Sequence, residues 1–198
     1  MHYDFIEIGT SDFESVVEKS APDAVGLCVE PIGFYLAALP ERQNVKKIHA
    51  AISFDNTGGY CDVYFVHPDV IANLGLPDWL RGCNSIGGPH PQHYKLQCTH
   101  ALTVDQVPLM PISELISGNN VESINLLKID TEGGDCSVLK WFFIEMLKKP
   151  SLAPSKIVFE SNSLTNPEHL DFTLRLYAAL KYSVGAQEGD NLELVLSS

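Results

Sequence analysis

The feature that most limits what this chain can fold into is an alternation. Short apolar runs stop at a carboxylate or a glycine, and segments with helical spacing separate them. Runs of that kind read as strands buried on both faces, and the helical segments supply the crossovers that a parallel sheet requires. Strand one spans Tyr3 to Ile8, and a helix follows from Asp12 to about Ser20 with Phe13, Val16 and Val17 on one face. Strand two is Val25 to Val29, ending in Glu30 and Pro31, and Gly33 to Leu39 forms a short helix that Pro40 stops. Strand three covers Lys47 to Ser53. The turn Asn56 to Gly59 has hairpin chemistry and predicts an added strand at Cys61 to Val66.

From His67 to about Leu102 the pattern changes to Gly, Pro, His and Asn with little period, which predicts an insertion with local turns. Its Trp79, Ile86, Tyr94 and Leu96 argue against disorder. Regular structure resumes with a strand at Ile124 to Ile129 and a helix at Asp135 to Leu147. A strand at Ile157 to Phe159 and a helix at Pro167 to Leu180 follow. Tyr182 to Ala186 and Leu192 to Leu196 close the chain as a hairpin about Glu188 to Asp190. The expected fold is α/β: a doubly wound, mostly parallel sheet with a terminal antiparallel hairpin, in one domain over residues 1–198, with residues 67–102 as an insertion that forms a lid over the site where a substrate binds.

Composition narrows the partners. The chain has 13 basic against 25 acidic side chains, a formal charge of -12, which repels phosphate backbones and anionic lipid. Nucleic acid is therefore not expected as a partner. No run of apolar residues reaches the length of a spanning helix, and no signal peptide is visible, so the expectation is a cytoplasmic protein without membrane insertion. The five cysteines, Cys28, Cys61, Cys83, Cys98 and Cys136, form no C-x-x-C pair and read as reduced thiols. Cys28 and Cys136 read as small buried hydrophobes.

In open α/β sheets the ligand lies beyond the carboxyl ends of the strands, near the point where strand order reverses. Glu7, Glu30, Asp130 and Glu160 all stand at or near such ends. Glu30, about 20 residues after the glycine turn at Gly9, is placed to accept both hydrogen bonds of a ribose diol. The full G-x-G-x-x-G fingerprint is absent, as is a phosphate-binding G-x-x-x-x-G-K-[ST] loop, which disfavours dinucleotides and nucleoside triphosphates.

The segments Asp4-Phe-Ile-Glu-Ile-Gly-Thr-Ser-Asp-Phe13, Cys28-Val-Glu-Pro31, His49-Ala-Ala-Ile-Ser53, Leu126-Leu-Lys-Ile-Asp-Thr-Glu-Gly-Gly134 and Val158-Phe-Glu-Ser161 together resemble the FkbM-type methyltransferases. The resemblance implies a Rossmann-like class I fold, S-adenosylmethionine as cofactor, and methylation of hydroxyls on sugars and related natural products. It implies that Glu7, Gly9, Thr10 and Ser11 surround the methionine half of the cofactor, that Glu30, with Pro31 beside it, holds the ribose, and that Ala51 and Ile52 lie near adenine. Where the family commonly has a second glycine, this chain has Phe13.

Methyl transfer to a hydroxyl needs in-line alignment and a base for the leaving proton. Asp130 is the first candidate for that base or for the partner of the cofactor's amine; a histidine of the insertion, His90 or His93, is the alternative. Lys128 projects from the same strand face as Asp130 and needs a carboxylate partner, for which Glu160 is the expectation. Glu132 and Glu160, with Asn84 and Ser85 from the insertion, offer the hydrogen bonds a polyol needs. Glu132 and Asp135 could instead cap the next helix. A metal-free site is favoured over a divalent ion held by Asp130, and a His-x-x-His metal pair is disfavoured by the prolines around it. His49 reads as a hydrogen-bonded structural histidine, and Trp141, Phe142, Phe143 and Met146 as core.

The reading is thus an S-adenosylmethionine-dependent O-methyltransferase acting on a sugar or glycan, with a longer polypeptide of neighbouring glycan-modifying domains as a further expectation. A nicotinamide-dependent oxidoreductase and a non-catalytic glycan-binding relic are the alternatives.

Overall fold

A computed structural model describes residues 1–11 and 14–197 of the chain. In chain order its elements are β1 (His2–Ile8), α1 (Val16–Lys19), β2 (Gly26–Glu30), α2 (Gly33–Ala38), β3 (Val45–His49), β4 (Ala51–Ile52), β5 (Gly59–Phe65), α3 (Pro68–Asn73), β6 (Ser85–Ile86) and α4 (Pro91–Lys95). Then come β7 (Thr103–Met110), α5 (Ile112–Gly118), β8 (Ser123–Ile129), α6 (Asp135–Lys148), β9 (Lys156–Glu160), α7 (Pro167–Ala179), β10 (Tyr182–Glu188) and β11 (Asn191–Leu196). The expected helix from Asp12 is observed only as α1, and Asp12 and Phe13 lie outside the described residues.

Seven strands form the main sheet in the order β10-β11-β9-β8-β1-β2-β3. The pairs β9-β8, β8-β1, β1-β2 and β2-β3 are parallel, and β11 runs antiparallel to both its neighbours. The chain is therefore mixed α/β with a mostly parallel central sheet, closed by the expected hairpin. Alternation along the strands serves both faces. Ile6, Ile8, Leu27, Val29, Leu127 and Ile129 pack with Leu115 of α5, Val138, Leu139 and Phe142 of α6 and Tyr177 of α7. Phe5 and Cys28 point the other way, onto Val17 of α1 and Leu36 of α2. Each fully buried aliphatic side chain of this set contributes about 2 kcal/mol of burial.

Strand order reverses between β1 and β8, the strands from which the chain departs to opposite sides of the sheet. The carboxyl ends there define where a ligand crevice forms.

A second sheet of four strands, β4-β7-β5-β6, corrects two expectations. The apolar run read as one strand from Lys47 to Ser53 is two: β3 belongs to the main sheet, and β4 pairs with β7 through Ala51↔Leu109 and Ile52↔Met110. The turn at Asn56 to Gly59 makes no hairpin, because β7 lies between β4 and β5. Strand β7 and helix α5 themselves had no sequence counterpart. Only Val107 of β7 is buried, and Pro108 breaks its pattern. The proline is tolerated because β4 reaches only Leu109 and Met110, leaving that flank of residue 108 unpaired. Residues 67–102 carry local structure: α3, a 3-10 turn at Asp78–Gly82, β6, α4 and a second 3-10 turn at Thr99–Ala101. Among the described residues, no helix is long and apolar enough to cross a membrane.

Candidate active site

A cavity of about 390 Å3 opens at the reversal point. Four strand ends, the short strand β4 and one stretch of the insertion wall it. Gly9, Thr10 and Ser11 follow β1, Glu30 and Pro31 end β2, Ala50 to Ile52 include β4, Lys128, Asp130, Thr131 and Glu132 lie at the end of β8, and Glu160 ends β9. Trp79 and residues 82–86 close the side opposite.

Gly9 is required twice over. Its φ is +76°, and a Cβ there would lie 1.7 Å from the carbonyl oxygen of Asp130. The close approach joins the ends of β1 and β8, with the Asp130 amide donating to the Ile8 carbonyl at 2.8 Å. Gly134 has a second such constraint, since a Cβ would fall 2.0 Å from the Phe54 ring, which itself lines the cavity. Between them Glu132 adopts φ +55°, a left-handed conformation that costs a non-glycine residue free energy.

Glu30 is 3% exposed, and its carboxylate is already spanned by backbone donors. Oε2 accepts from the amides of Thr10 and Ser11, each at 2.9 Å, and Oε1 accepts from the amide of Ile32 at 2.9 Å. Burial pushes Glu30 up to about 7 against the pull of those three amides. The expectation of two free acceptors for a diol is thus corrected: Oε2 is taken up by the loop, and only Oε1 keeps an acceptor lone pair to spare.

The Lys128 pairing is also corrected. Lys128 Nζ lies 3.0 Å from Glu7 Oε1, not beside Glu160. Register is the cause. Glu7 stands directly across from Lys128 in the β1-β8 pair, whereas the β8-β9 pair sets Val158 opposite it and leaves Glu160 two residues farther on. Glu7 is fully buried, accepts from the Val16 amide at 2.8 Å through Oε2, and does not line the cavity. Burial raises its pKa, and Lys128 opposes that rise.

At the other end, Asp130, Glu132 and Glu160 bring carboxylate oxygens within 4.8 Å of one another, a spacing that could also hold a cation. Burial first, then mutual repulsion, pushes Glu132 up to about 8 and Glu160 up to about 9. Asp130 is also raised by burial, but Lys128 favours its ionised form. Asp135 does not cap α6 with its side chain; it is buried, accepts from Thr131 Oγ1 at 3.2 Å, and is pushed up to about 6 by burial.

The two histidines of the insertion do different work from the base considered for them. His90 is the N-cap of α4: its Nδ1 accepts from the Gln92 amide at 3.2 Å, and His93 Nδ1 accepts from the His90 amide at 3.1 Å. With Nδ1 an acceptor, each neutral ring carries its proton on Nε2 and has no lone pair left to act as a base. Neither lines the cavity. His90 Nε2 is 3.2 Å from Glu132 Oε2, though off the line of a good hydrogen bond. Burial holds both rings below the usual histidine range, His93 down to about 4.

Asn84 and Ser85 do line the cavity. His49 Nε2 contacts the Pro31 carbonyl at 2.8 Å, as expected of a structural histidine. Phe142 and Met146 are buried and Trp141 and Phe143 pack against the core, with Trp141 Nε1 donating to the Phe54 carbonyl at 3.2 Å. The sequence reading missed Phe54, Trp79, Cys83, Thr131, Asp190 and Asn191 as wall residues. Asp190 and Asn191 belong to the terminal hairpin, and only the antiparallel pairing of Asn191 with Glu160 brings that turn to the site.

A mostly parallel α/β sheet with a cavity at its strand-order reversal places that cavity where ligands bind in open α/β folds. The model of the FkbM methyltransferase domain matches residues 83–184, just over half of the chain, and the chain belongs to that family. The match takes in Lys128, Asp130, Glu132 and Glu160 and begins after Gly9 and Glu30. No curated protein matches the sequence.

Proposed function

We propose that this methyltransferase uses S-adenosylmethionine to methylate a hydroxyl of a sugar or glycan, in a Rossmann-like class I arrangement. The observation that carries the reading is a set of buried polar atoms in the cavity wall that find no hydrogen-bond partner among the described residues: Ser11 Oγ, Asn84 Oδ1 and Glu160 Oε2. Unpaired buried polar atoms cost free energy, and a ligand rich in hydroxyls satisfies them. They lie on the β1 loop, the insertion and β9, which suits one ligand at each end of the cavity.

The residues fit the cofactor. Gly9 keeps the loop close to the sheet, Ser11 lies at the methionine half, Thr10 is held there by Glu30, Glu30 Oε1 takes a ribose hydroxyl beside Pro31, and Ala51 and Ile52 face adenine. Bound there, S-adenosylmethionine supplies an electrophilic methyl group. Asp130 accepts the proton of the acceptor hydroxyl, because Lys128 favours its ionised form while Glu132 and Glu160 hold protons near neutral pH. A protonated Glu160 donates to an acceptor oxygen, and Glu132, Asn84 and Ser85 complete the polyol contacts. Residues 67–102 act as the lid that excludes water.

Incubation with S-adenosylmethionine and a panel of free sugars and glycans, read by mass spectrometry, should show one added methyl, lost in Asp130→Asn. Methylation confined to amines, or to acceptors without a sugar, would overturn the carbohydrate reading.

A further inference from the structure

The walls of the cavity carry six carboxylates, Glu14, Glu30, Asp130, Glu132, Glu160 and Asp190, against a single cationic side chain among the described residues, Lys128. A ligand bearing a carboxylate therefore has one place to put it. Lys128 Nζ has three donor hydrogens, and among the described residues Glu7 Oε1 is its one hydrogen-bond partner. Its side chain is 15% exposed and reaches the cavity wall, while Glu7 behind it is fully buried.

The backbone amides that could otherwise serve an anion at this loop are committed. Those of Thr10 and Ser11 donate to Glu30, and that of Gly9 donates to the Val29 carbonyl at 2.9 Å. Sheet order then fixes direction. Going from β3 through β2 and β1 to β8, a ligand with its adenosine end over β4 and Glu30 extends its other end across β1 and reaches β8. Two strand spacings separate β2 from β8, roughly 10 Å, which matches the span from a ribose to the far end of an amino-acid chain.

We propose that Lys128 is the anchor for the α-carboxylate of the cofactor's methionine moiety, with Glu7 as the buried residue that positions its ammonium. The assignment rests on the cofactor reading above. It gives Lys128 a second role beside the charge it lends Asp130, with the α-carboxylate lying on the ammonium two residues back along the chain from that base. Glu7, although it does not line the cavity, then acts on cofactor affinity through Lys128, while its other oxygen holds the Val16 amide.

The test is a calorimetric comparison of two ligands on purified protein: S-adenosylhomocysteine, and the aminopropyl thioether of adenosine, which keeps the amine and lacks the carboxylate. Lys128→Met should weaken S-adenosylhomocysteine by roughly 10- to 100-fold and leave the carboxylate-free ligand within about 2-fold of wild type. Because Lys128→Met alone strands Glu7 in the core, Glu7→Gln/Lys128→Met, which removes both charges, is measured beside it and should show the same ligand-selective loss. Equal weakening of both ligands, or no weakening of S-adenosylhomocysteine in either variant, overturns the anchor and leaves the cofactor reading standing. Wild-type protein that binds neither ligand removes the cofactor reading and the anchor with it.

Discussion

The two ends of the cavity are built on opposite terms. At the β2 end, both oxygens of Glu30 meet backbone amides at 2.9 Å, so that carboxylate is held without a ligand and keeps one acceptor position, on Oε1, to offer. At the β9 end, Glu160 Oε2 is buried with no partner among the described residues, and three carboxylates crowd within reach of one another. The first end is a scaffold that fixes the loop after β1. The second stores unfavourable electrostatics that only a bound molecule or protonation relieves. Side chains of the same type are thus held by the backbone in one place and left unpaired in the other, and the number of backbone amides facing them decides which.

Four substitutions can break or sharpen that contrast. Gly9 lies between the two ends, where β1 meets β8, and Gly9→Ala should have the largest effect, destabilising by about 4 kcal/mol in urea denaturation, because it combines a positive φ with a Cβ driven into the Asp130 carbonyl. A loss under about 1 kcal/mol would mean that the ends are not rigidly joined. Glu30→Ala strands three amides and should cost about 3 kcal/mol by the same measurement. Undiminished stability would show that this end is not a self-satisfied scaffold.

Glu160→Gln should act with the opposite sign. Its carboxyl is raised from 4.5 to about 9 in the folded chain, so its contribution is fully present below about pH 4.5 and is lost as pH rises through about 9. Wild-type melting temperature should fall across that window, and Glu160→Gln should flatten the fall, gaining on the order of 1 kcal/mol at pH 9 after allowance for solvent screening. A variant less stable than wild type at pH 9 would erase the contrast between the ends. The smallest effect belongs to His90→Ala, which removes the N-cap of α4 and should cost about 1 kcal/mol while methyl transfer stays within a few-fold. Methyl transfer abolished in a folded His90→Ala protein would return this histidine to the chemistry.

The main sheet was legible because its signal is local: apolar runs such as Ile124 to Ile129, ended by Asp130, need no knowledge of their neighbours. Cavity residues on those strand ends, among them Gly9, Glu30, Asp130 and Glu160, were found for the same reason. What depended on register or on pairing across the chain was not legible. Parity put Lys128 on the face of Asp130, but only the β1-β8 register chooses Glu7 over Glu160 as its partner. The second sheet failed likewise, because the run from Lys47 to Ser53 reads as one strand without saying that Ala51 and Ile52 pair with Leu109 and Met110 instead. His90 and His93 look like chemistry in sequence; the prolines next to them mark the helix start that their Nδ1 atoms cap.

The most direct measurement is calorimetric titration of the wild-type protein with S-adenosylhomocysteine, with a nicotinamide dinucleotide as the control ligand. The account predicts saturable one-site binding of the first in the micromolar range and none of the second. A folded protein that gives no heat with S-adenosylhomocysteine would contradict the assignment of the cavity to this cofactor.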